Sequence, residues 1–182
     1  MNEKHFSAES IAKLRSEKRI SFLDPELIVS KCIEISTLSS GTILDIGTGT
    51  GLFAEQFQNK GFKVTGIDDN EVMIKEAQRL VPTSHFIQAS ADKIPFKDNE
   101  FDFALMAHLL HEVENPEAVI NEAKRVTKNN LFILEWQYQE EEIGPPLKHR
   151  LNPDFIIKLF EKTGLGQAHF LQIKNMILYY SK

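Results

Sequence analysis

The sequence predicts an α/β fold in which helices cover both faces of a doubly wound, mostly parallel β-sheet, giving three layers. Short apolar runs of strand length alternate along the chain with longer segments whose apolar residues recur at helical spacing. In addition, the first apolar run, residues 43–46, leads directly into a glycine-rich turn and then into a helical pattern. This order of strand, loop and helix is typical of the opening unit of a parallel α/β sheet.

The chain before this unit contains a polar segment and then a helix. Residues 1–22 are polar and charged with a weak apolar periodicity, which is typical of a solvated helix or a frayed terminus. Asp24 and Pro25 are residue types of a helix N-cap and a first helical position, and apolar positions continue to Ile35. Cys32 falls on the apolar face of this helix, so we expect it to fill the core.

Helices and strands alternate beyond the glycine-rich turn. A helix from Leu52 ends near Gly61, and the next helix is capped by Asp69 or Asn70 and stops before Pro82. Two later helices open on Asn-Pro pairs. The seven predicted strands are 43–46, 63–67, 84–88, 101–107, 131–136, 168–173 and 176–180.

Length and composition narrow the class of protein. The chain of 182 residues is long enough for one domain with a substantial core. Its single cysteine cannot form an internal disulfide, no run approaches the ~18 apolar residues of a membrane span, and the first residues lack an apolar signal core. We therefore expect a cytoplasmic protein, and the net charge of −5 argues against a broad nucleic-acid-binding surface.

The glycines of the turn and an acid after the second strand indicate a ligand that contains adenosine. Gly47, Gly49 and Gly51 lack Cβ atoms, so a ligand can lie against the backbone at the start of the next helix. Asp68 ends the second strand, where a carboxylate can accept hydrogen bonds from a ribose diol. The alternative is that the glycines serve the packing of a tight turn alone.

Two further features make the chain resemble the class I S-adenosylmethionine (SAM)-dependent methyltransferases. Asp45 stands two residues before Gly47 in a Gly-x-Gly-x-Gly loop, whereas the dinucleotide fingerprint is Gly-x-Gly-x-x-Gly. Residues 92–102 resemble a segment of that family that runs from an acid through Ile-Pro-Phe to Phe-Asp. The resemblance implies a Rossmann-like fold of about seven strands with an antiparallel last strand. It also implies SAM as the cofactor and S-adenosylhomocysteine as the product.

On this resemblance, residues 1–182 form a single SAM-dependent methyltransferase domain. Residues 1–40 are its N-terminal helical cap or lid, with Phe6 and Phe22 as candidates to reach the site, and residues 41–182 are its Rossmann-like core. Two of the residues expected to bind the cofactor have a structural alternative, since Met73 has core spacing and Asp92 can cap a short helical turn. The full cofactor-binding set is Asp45, Gly47, Thr48, Gly49, Gly51, Asp68, Asp69, Met73, Ala91, Asp92 and Met106.

The loop after the fourth strand is where we expect the chemistry. His108 and His111 lie three residues apart with Glu112 beside the second, but this spacing and the lack of a third ligand argue against a metal site. His111 is the candidate catalytic residue, which bonds the substrate or acts as a weak general base, or else bonds backbone at a helix start. Trp136 either lines an acceptor pocket or seals the core. The candidate substrate-binding residues are His108, His111, Trp136, His149 and Arg150, of which the last two alternatively belong to a solvated basic loop.

The predicted function is transfer of a methyl group from SAM to a small-molecule acceptor with a carbon, oxygen or sulfur nucleophile. The Glu-Trp strand end and the later Gly-Pro-Pro and His-Arg segments resemble a branch similar to the ubiquinone/menaquinone-biosynthesis C-methyltransferases. A quinone-like or phenolic acceptor is therefore the leading candidate. The alternatives are a catalytically silent SAM-binding adaptor and an NAD-dependent oxidoreductase. We expect a monomer or a homodimer and no nucleic-acid partner.

Overall fold

A computed structural model describes residues 8–181 of the chain. The helices are α1 (Ala8–Leu14), α2 (Glu17–Leu23), α3 (Pro25–Ser36), α4 (Leu52–Asn59), α5 (Glu71–Leu80), α6 (Pro116–Val126) and α7 (Pro153–Lys162). The strands are β1 (Thr42–Ile46), β2 (Lys63–Asp68), β3 (His85–Gln88), β4 (Phe103–Ala107), β5 (Leu131–Trp136), β6 (His169–Ile173) and β7 (Met176–Tyr180). Within these described residues, no helix has the length and apolar character needed to cross a membrane.

The strands form one sheet in the order β3-β2-β1-β4-β5-β7-β6. β1 pairs in parallel with β2 and β4, and parallel pairing continues outward to β3 and β5. β7 lies between β5 and β6 and runs antiparallel to both. The predicted doubly wound, mostly parallel sheet with an antiparallel last strand is therefore confirmed.

Alternate side chains of the central strands face two separate cores. On one face, Ile43 and Phe103 pack with buried residues of α3, α4 and α5, including Cys32. On the other face, Leu44 and Ala104 pack with buried residues of α6 and α7. Because both faces of the sheet are covered, nearly every side chain of β1 and β4 is buried, and the predicted three layers are confirmed.

Side-chain caps fix where five of the described helices begin. Each cap residue accepts a hydrogen bond from a backbone N–H in the first turn. At the start of α5 the cap is Asn70 and not Asp69. The sequence predicts four of these caps and not the fifth, Ser16; the five are Ser16, Asp24, Asn70, Asn115 and Asn152.

Three strands begin later than predicted. β3, β4 and β6 start at residues 85, 103 and 169, whereas the patterns place their starts at 84, 101 and 168. Phe101 makes only an isolated bridge to Thr127. The carboxylate of Asp102 accepts from the backbone N–H of Thr42 at 2.7 Å, in addition to a backbone bond between the same residues. An apolar pattern does not predict this side-chain contact.

The sheet order brings the carboxyl ends of four strands to one edge. β1 and β4 lie side by side, and the chain winds outward from them in opposite directions. Open α/β sheets bind ligands outside the carboxyl ends of the strands at such a switch point. The residues that follow β1, β2, β4 and β5 therefore define the candidate site.

Candidate active site

The glycine loop between β1 and α4 turns through three left-handed glycines. Gly47, Gly49 and Gly51 have φ values of 71°, 53° and 75°, a region in which residues with a Cβ are strained. The backbone N–H groups of Gly47 and Thr48 both donate to the carbonyl of Ile67, at 2.9 and 2.8 Å. The loop is therefore fixed against the end of β2.

Gly47 and Gly49 differ in what lies next to them. A Cβ at Gly47 would meet Cδ1 of Leu109 at 2.9 Å, so this side chain covers the glycine. A Cβ at Gly49 would meet no atom within 4 Å. The N–H of Gly49 donates to Oδ2 of Asp68 at 2.9 Å, so the open space borders a carboxylate. This part of the loop has both the room and the polarity for a ligand.

Asp68 keeps spare hydrogen-bonding capacity. Its Oδ1 accepts from the N–H of Asn70 at 3.0 Å, in addition to the bond from Gly49. Burial raises the pKa of Asp68, while these two hydrogen bonds oppose the rise. Because each carboxylate oxygen has two lone pairs, both oxygens can still accept from a diol. The neighbouring Asp69 is exposed, and its carbonyl accepts from the Gln88 amide at 2.9 Å.

Asp45 lies beneath the glycine loop. It is 1% exposed, and its Oδ2 accepts from the Thr48 hydroxyl at 2.6 Å. Burial raises the pKa of Asp45 to about 6, and the Thr48 hydrogen bond opposes this rise. The side chains of both residues therefore stabilise the loop from below.

The other predicted cofactor residues lie at different depths. Met73 and Met106 are buried, so Met73 occupies the core position that was its structural alternative. Ala91 and Asp92 lie in the turn after β3, where the Ser90 hydroxyl donates to Oδ1 of Asp92 at 2.6 Å. Asp92 is followed directly by a bend and not by a helix of the described chain.

His111 and Glu135 meet in the protein interior. Nδ1 of His111 lies 2.8 Å from Oε2 of Glu135, and the two side chains are 6% and 1% exposed. Oε1 of Glu135 has no hydrogen-bond partner among the described residues. Nε2 of His111 lies 3.8 Å from Oε1 of Glu112, whose side chain is 48% exposed. The His111 ring thus lies between a buried carboxylate and a carboxylate near the protein surface. The predicted alternative was a hydrogen bond to the backbone, but the ring contacts these two side chains instead.

His108 has a different environment. It adopts a left-handed φ of 57°, and its ring stacks on Trp136 with 4.5 Å between the centroids. Its Nε2 lies 3.2 Å from Sδ of Met176. Burial lowers the pKa of His108 well below its ordinary value, and the charge of Arg19 adds to this. His108 is therefore a neutral ring packed into the edge of the core.

Trp136 is buried among aromatic and cationic side chains. It is 3% exposed, and the guanidinium carbons of Arg19 and Arg150 each lie 5.5 Å from its ring centroid. The Phe22 ring lies 6.2 Å away. The indole N–H has no hydrogen-bond partner among the described residues. Of its two predicted roles, sealing the core is the one that these contacts support.

Arg150 holds the loop after β5 together. Its guanidinium donates to the carbonyls of Gln137, Ile143 and Pro145 at 2.9, 3.1 and 2.9 Å. Because Arg150 is buried, its predicted alternative as part of a solvated basic loop is wrong. His149 is exposed on the short 3-10 turn Leu147–His149, so the structure separates the two residues.

The first two helices cover the glycine loop. Arg15, between α1 and α2, donates to the carbonyl of Thr50 at 2.7 Å and pairs with Glu55 at 2.6 Å. Lys18 pairs with Glu142 in the loop after β5. Within the segment predicted as a cap, Arg15 thus contacts the glycine loop and Lys18 contacts the loop after β5, and Phe6 lies outside the described residues.

Arg15, Arg19 and Glu135 contribute to the site although the sequence patterns assign them no role. The two arginines lie in the basic segment that is typical of a solvated helix. Glu135 is the single charged residue of an otherwise apolar strand. That signal identifies it, because burying a carboxylate is costly unless it has a partner or a function.

Comparison with known proteins relates the chain to methyltransferases. A family model described as a methyltransferase domain matches residues 44–134. An uncharacterized protein of Methanocaldococcus jannaschii is 42% identical over 97 residues, which are 53% of this chain and 44% of that protein. A demethylmenaquinone methyltransferase of Renibacterium salmoninarum is 31% identical over 103 residues, which are 57% of this chain and 44% of that protein. Each match spans less than half the length of the curated relative.

A solved structure matches almost the whole chain. The crystal structure of a SAM-dependent methyltransferase from Aquifex aeolicus has a TM-score of 0.80 and 27% sequence identity to this chain. The match covers 97% of this chain and 98% of that one. The predicted Rossmann-like fold is thereby confirmed.

Proposed function

We propose that this chain, which belongs to the methyltransferase-domain family, transfers a methyl group from SAM to a small-molecule acceptor. The family model matches residues 44–134, half of the chain, and the solved relative from Aquifex aeolicus is similar over nearly all of it. The resemblance to class I SAM-dependent methyltransferases is confirmed by these two findings.

The observation that carries the proposal is the open space over Gly49 beside the carboxylate of Asp68. SAM contains a ribose diol, and both oxygens of Asp68 retain lone pairs to accept from its hydroxyls. This acid is the last residue of β2, at the ligand edge of the sheet, where ribose hydroxyls are bound in related α/β folds. Asp68 is therefore the residue that we propose recognises the ribose.

The remaining cofactor residues that we propose come from four parts of the ligand edge. They lie in β1 and the glycine loop, at the start of α5 and at the residue before its cap, in the segment after β3, and in β4. The Asp45 carboxylate attracts the ammonium group of SAM from beneath the loop. These residues are Asp45, Gly47, Thr48, Gly51, Asp69, Met73, Ala91, Asp92 and Met106, the buried methionines contributing backbone.

SAM supplies an electrophilic methyl group on a positively charged sulfur. The chain's own contribution is to hold the acceptor in line behind that methyl and to exclude water, which lowers the entropic part of the barrier. Helices α1 and α2 and the loop closed by Arg150 cover the edge where this occurs. His111 is the proposed catalytic residue and the residue that we propose contacts the acceptor. The other predicted substrate-binding residues, His108, Trp136, His149 and Arg150, are proposed to shape that side of the site, since Trp136 and Arg150 are buried.

The proposed acceptor is a quinone-like or phenolic compound that attacks through carbon, oxygen or sulfur. The relative named demethylmenaquinone methyltransferase supports this class, although its match spans 44% of that protein. We further propose that residues 1–182 act as one domain with residues 1–40 as its cap, as a monomer or a homodimer. No observation favours the alternative of a silent adaptor.

Calorimetric titration of the purified protein with SAM, S-adenosylhomocysteine and NAD tests the proposal. We expect binding of the first two and none of NAD. Release of S-adenosylhomocysteine in the presence of a phenolic acceptor then separates an enzyme from an adaptor. Binding of NAD alone would contradict the proposal, and so would binding of none of the three, which would make the glycine loop a packing feature.

A further inference from the structure

We propose that Glu135 positions His111 as the general base for an acceptor that carries a phenolic or enolic hydroxyl. This inference rests on the proposed function. It narrows the acceptor from any carbon, oxygen or sulfur nucleophile to a compound whose hydroxyl proton must be removed. Glu135 is a positioning residue in this scheme, since it acts through the imidazole.

An ionised Glu135 determines which ring nitrogen of His111 carries the proton. Oε2 of Glu135 lies 2.8 Å from Nδ1 of His111, and an ionised carboxylate can only accept hydrogen bonds. Nδ1 must therefore donate, which leaves the lone pair of a neutral ring on Nε2. A base needs this free lone pair directed at the proton that it removes.

Packing alone does not explain Glu135. Its side chain is 1% exposed in a strand that is otherwise apolar, and its second oxygen, Oε1, has no partner among the described residues. An unpaired polar atom in the interior destabilises the fold, so an apolar residue would serve stability better. The carboxylate becomes favourable when His111 accepts a proton, because the resulting positive ring then lies beside a buried negative charge.

His111 and Glu135 lie where we expect the acceptor to bind. His111 follows β4 and Glu135 lies near the carboxyl end of β5, next to the switch point of the sheet. Nε2 of His111 lies 3.8 Å from Oε1 of Glu112, whose side chain is half-exposed. A proton on the ring can therefore pass to solvent on this side. Leu109, in the same loop as His111, packs against Gly47. The His111 ring therefore lies at the same edge of the sheet as the glycine loop.

The neighbouring titratable groups leave His111 as the proton acceptor. Burial lowers the pKa of His108 well below its ordinary value, which makes that ring a poor base. Burial, together with the charge of Glu135, raises the pKa of Tyr179 to about 12, so its phenol stays neutral. The negative charge of Glu112 interacts with the positive charge of Arg19, which lies in α2.

The proposed step balances in atoms and charge. Nε2 of His111 takes the hydroxyl proton of the acceptor, and the electron pair of that O–H bond remains on the acceptor. This pair forms a bond from oxygen, or from a conjugated ring carbon, to the methyl carbon. The bond from that carbon to sulfur breaks, and its pair stays on sulfur, giving S-adenosylhomocysteine. For attack by carbon, the ring proton at that carbon leaves to solvent and restores the aromatic ring.

Nitrogen-15 NMR of the histidine rings tests the dyad without an acceptor. In the complex with S-adenosylhomocysteine, we expect neutral His111 to carry its proton on Nδ1, with the His111→Asn protein identifying the signals. Glu135→Gln, which conserves shape but removes the charge, should weaken this preference and populate the tautomer protonated on Nε2. Glu114→Gln, an exposed neighbour in the same loop, should leave the tautomer unchanged. A wild-type ring protonated on Nε2 would overturn the proposal, and so would an unchanged tautomer population in folded Glu135→Gln. If this variant does not fold, the wild-type tautomer decides.

Turnover with defined probes tests the acceptor class. Using methyl-tritiated SAM, we expect transfer to naphthohydroquinone or para-nitrophenol and not to thiophenol or aniline. His111→Asn should lower kcat about 100-fold and Glu135→Gln about 10-fold, with KM unchanged and the smallest loss for the more acidic phenol. Transfer only to thiophenol or aniline, or no transfer to any hydroxyl probe, would overturn the proposal. Calorimetry of SAM on the same proteins separates this failure from that of the proposed function, since the dyad variants should bind SAM as the wild type does.

Discussion

At one end of the ligand edge, polar side chains find partners a few residues away, and at the other end they do not. Asp45 bonds Thr48 and Asp68 bonds Asn70 in what we call the glycine half, residues 45–51 and 68–70. One further bond, from Gly49 to Asp68, joins its two segments. In the histidine half, residues 108–111 and 135–136, the partners are distant in sequence. His111 bonds a residue 24 positions away, and His108 contacts one 68 positions away.

The difference indicates what each half is for. In the glycine half, backbone groups and short local bonds shape a seat for a ligand whose structure does not vary. In the histidine half, Oε1 of Glu135 and Nε1 of Trp136 are buried without partners among the described residues. Unsatisfied groups of this kind are rare unless a ligand or water completes them. We infer that tertiary structure assembles the acceptor side, whereas a short motif is sufficient for the cofactor side.

Arg150→Met should have the largest effect, because Arg150 holds together the loop that packs against Trp136 of the histidine half. The substitution leaves three carbonyls without donors and removes a cation from the Trp136 ring, so we expect a loss of about 3 kcal/mol in the free energy of unfolding. Urea denaturation measures it. The matched control is Lys148→Met, which is exposed in the same turn and should change stability by less than about 0.5 kcal/mol. Equal stability of the two variants would show that the loop does not rely on its buried arginine.

Asp68→Ala tests the glycine half as a cofactor seat. We expect the dissociation constant for SAM to rise at least about 100-fold, because the ribose loses its acceptor in a partly buried site. Calorimetry measures the affinity, and circular dichroism establishes that the variant is folded. Glu34→Ala removes an exposed acid from α3 and should bind SAM as the wild type does. Unchanged affinity in folded Asp68→Ala would refute the ribose assignment.

The same contrast explains what the sequence could predict. The fold class, the helix caps and the glycine loop follow from patterns within a few residues, and the structure contains all three. The partner of His111 could not be predicted, because the pairing depends on how β4 and β5 lie in the sheet. For the same reason the inward direction of Arg150 was missed, since a basic residue in a polar loop is usually solvated.

Comparing Gly47→Ala with Gly49→Ala sharpens the description of the glycine half. Both residues have positive φ, so each substitution costs about 1 kcal/mol of backbone strain. Gly47→Ala also drives a Cβ to 2.9 Å from Leu109, which should bring its total loss to about 2 kcal/mol. Gly49→Ala places its Cβ in open space, so it should be the more stable variant and yet the weaker SAM binder. Thermal denaturation and calorimetry measure the two effects, and a Gly49→Ala protein with wild-type affinity would mean that the ligand does not occupy that space.

The smallest expected effect is a pH dependence that originates at Asp45. Burial raises its pKa to about 6, so the carboxylate is mostly protonated at about pH 5 and mostly ionised at about pH 7. The ammonium of SAM favours the ionised form of Asp45, so the affinity for SAM should rise about ten-fold from about pH 5 to about pH 7. The same gain should disappear when the pH is lowered through this range. Asp45→Asn can still accept from Thr48 but cannot ionise, so its profile should lack this rise. Burial also raises the pKa of Asp68. Because Asp68 is present in both proteins, its effect on SAM affinity contributes to both profiles. Parallel calorimetric profiles for the two proteins would mean that Asp45 serves only to hold the loop.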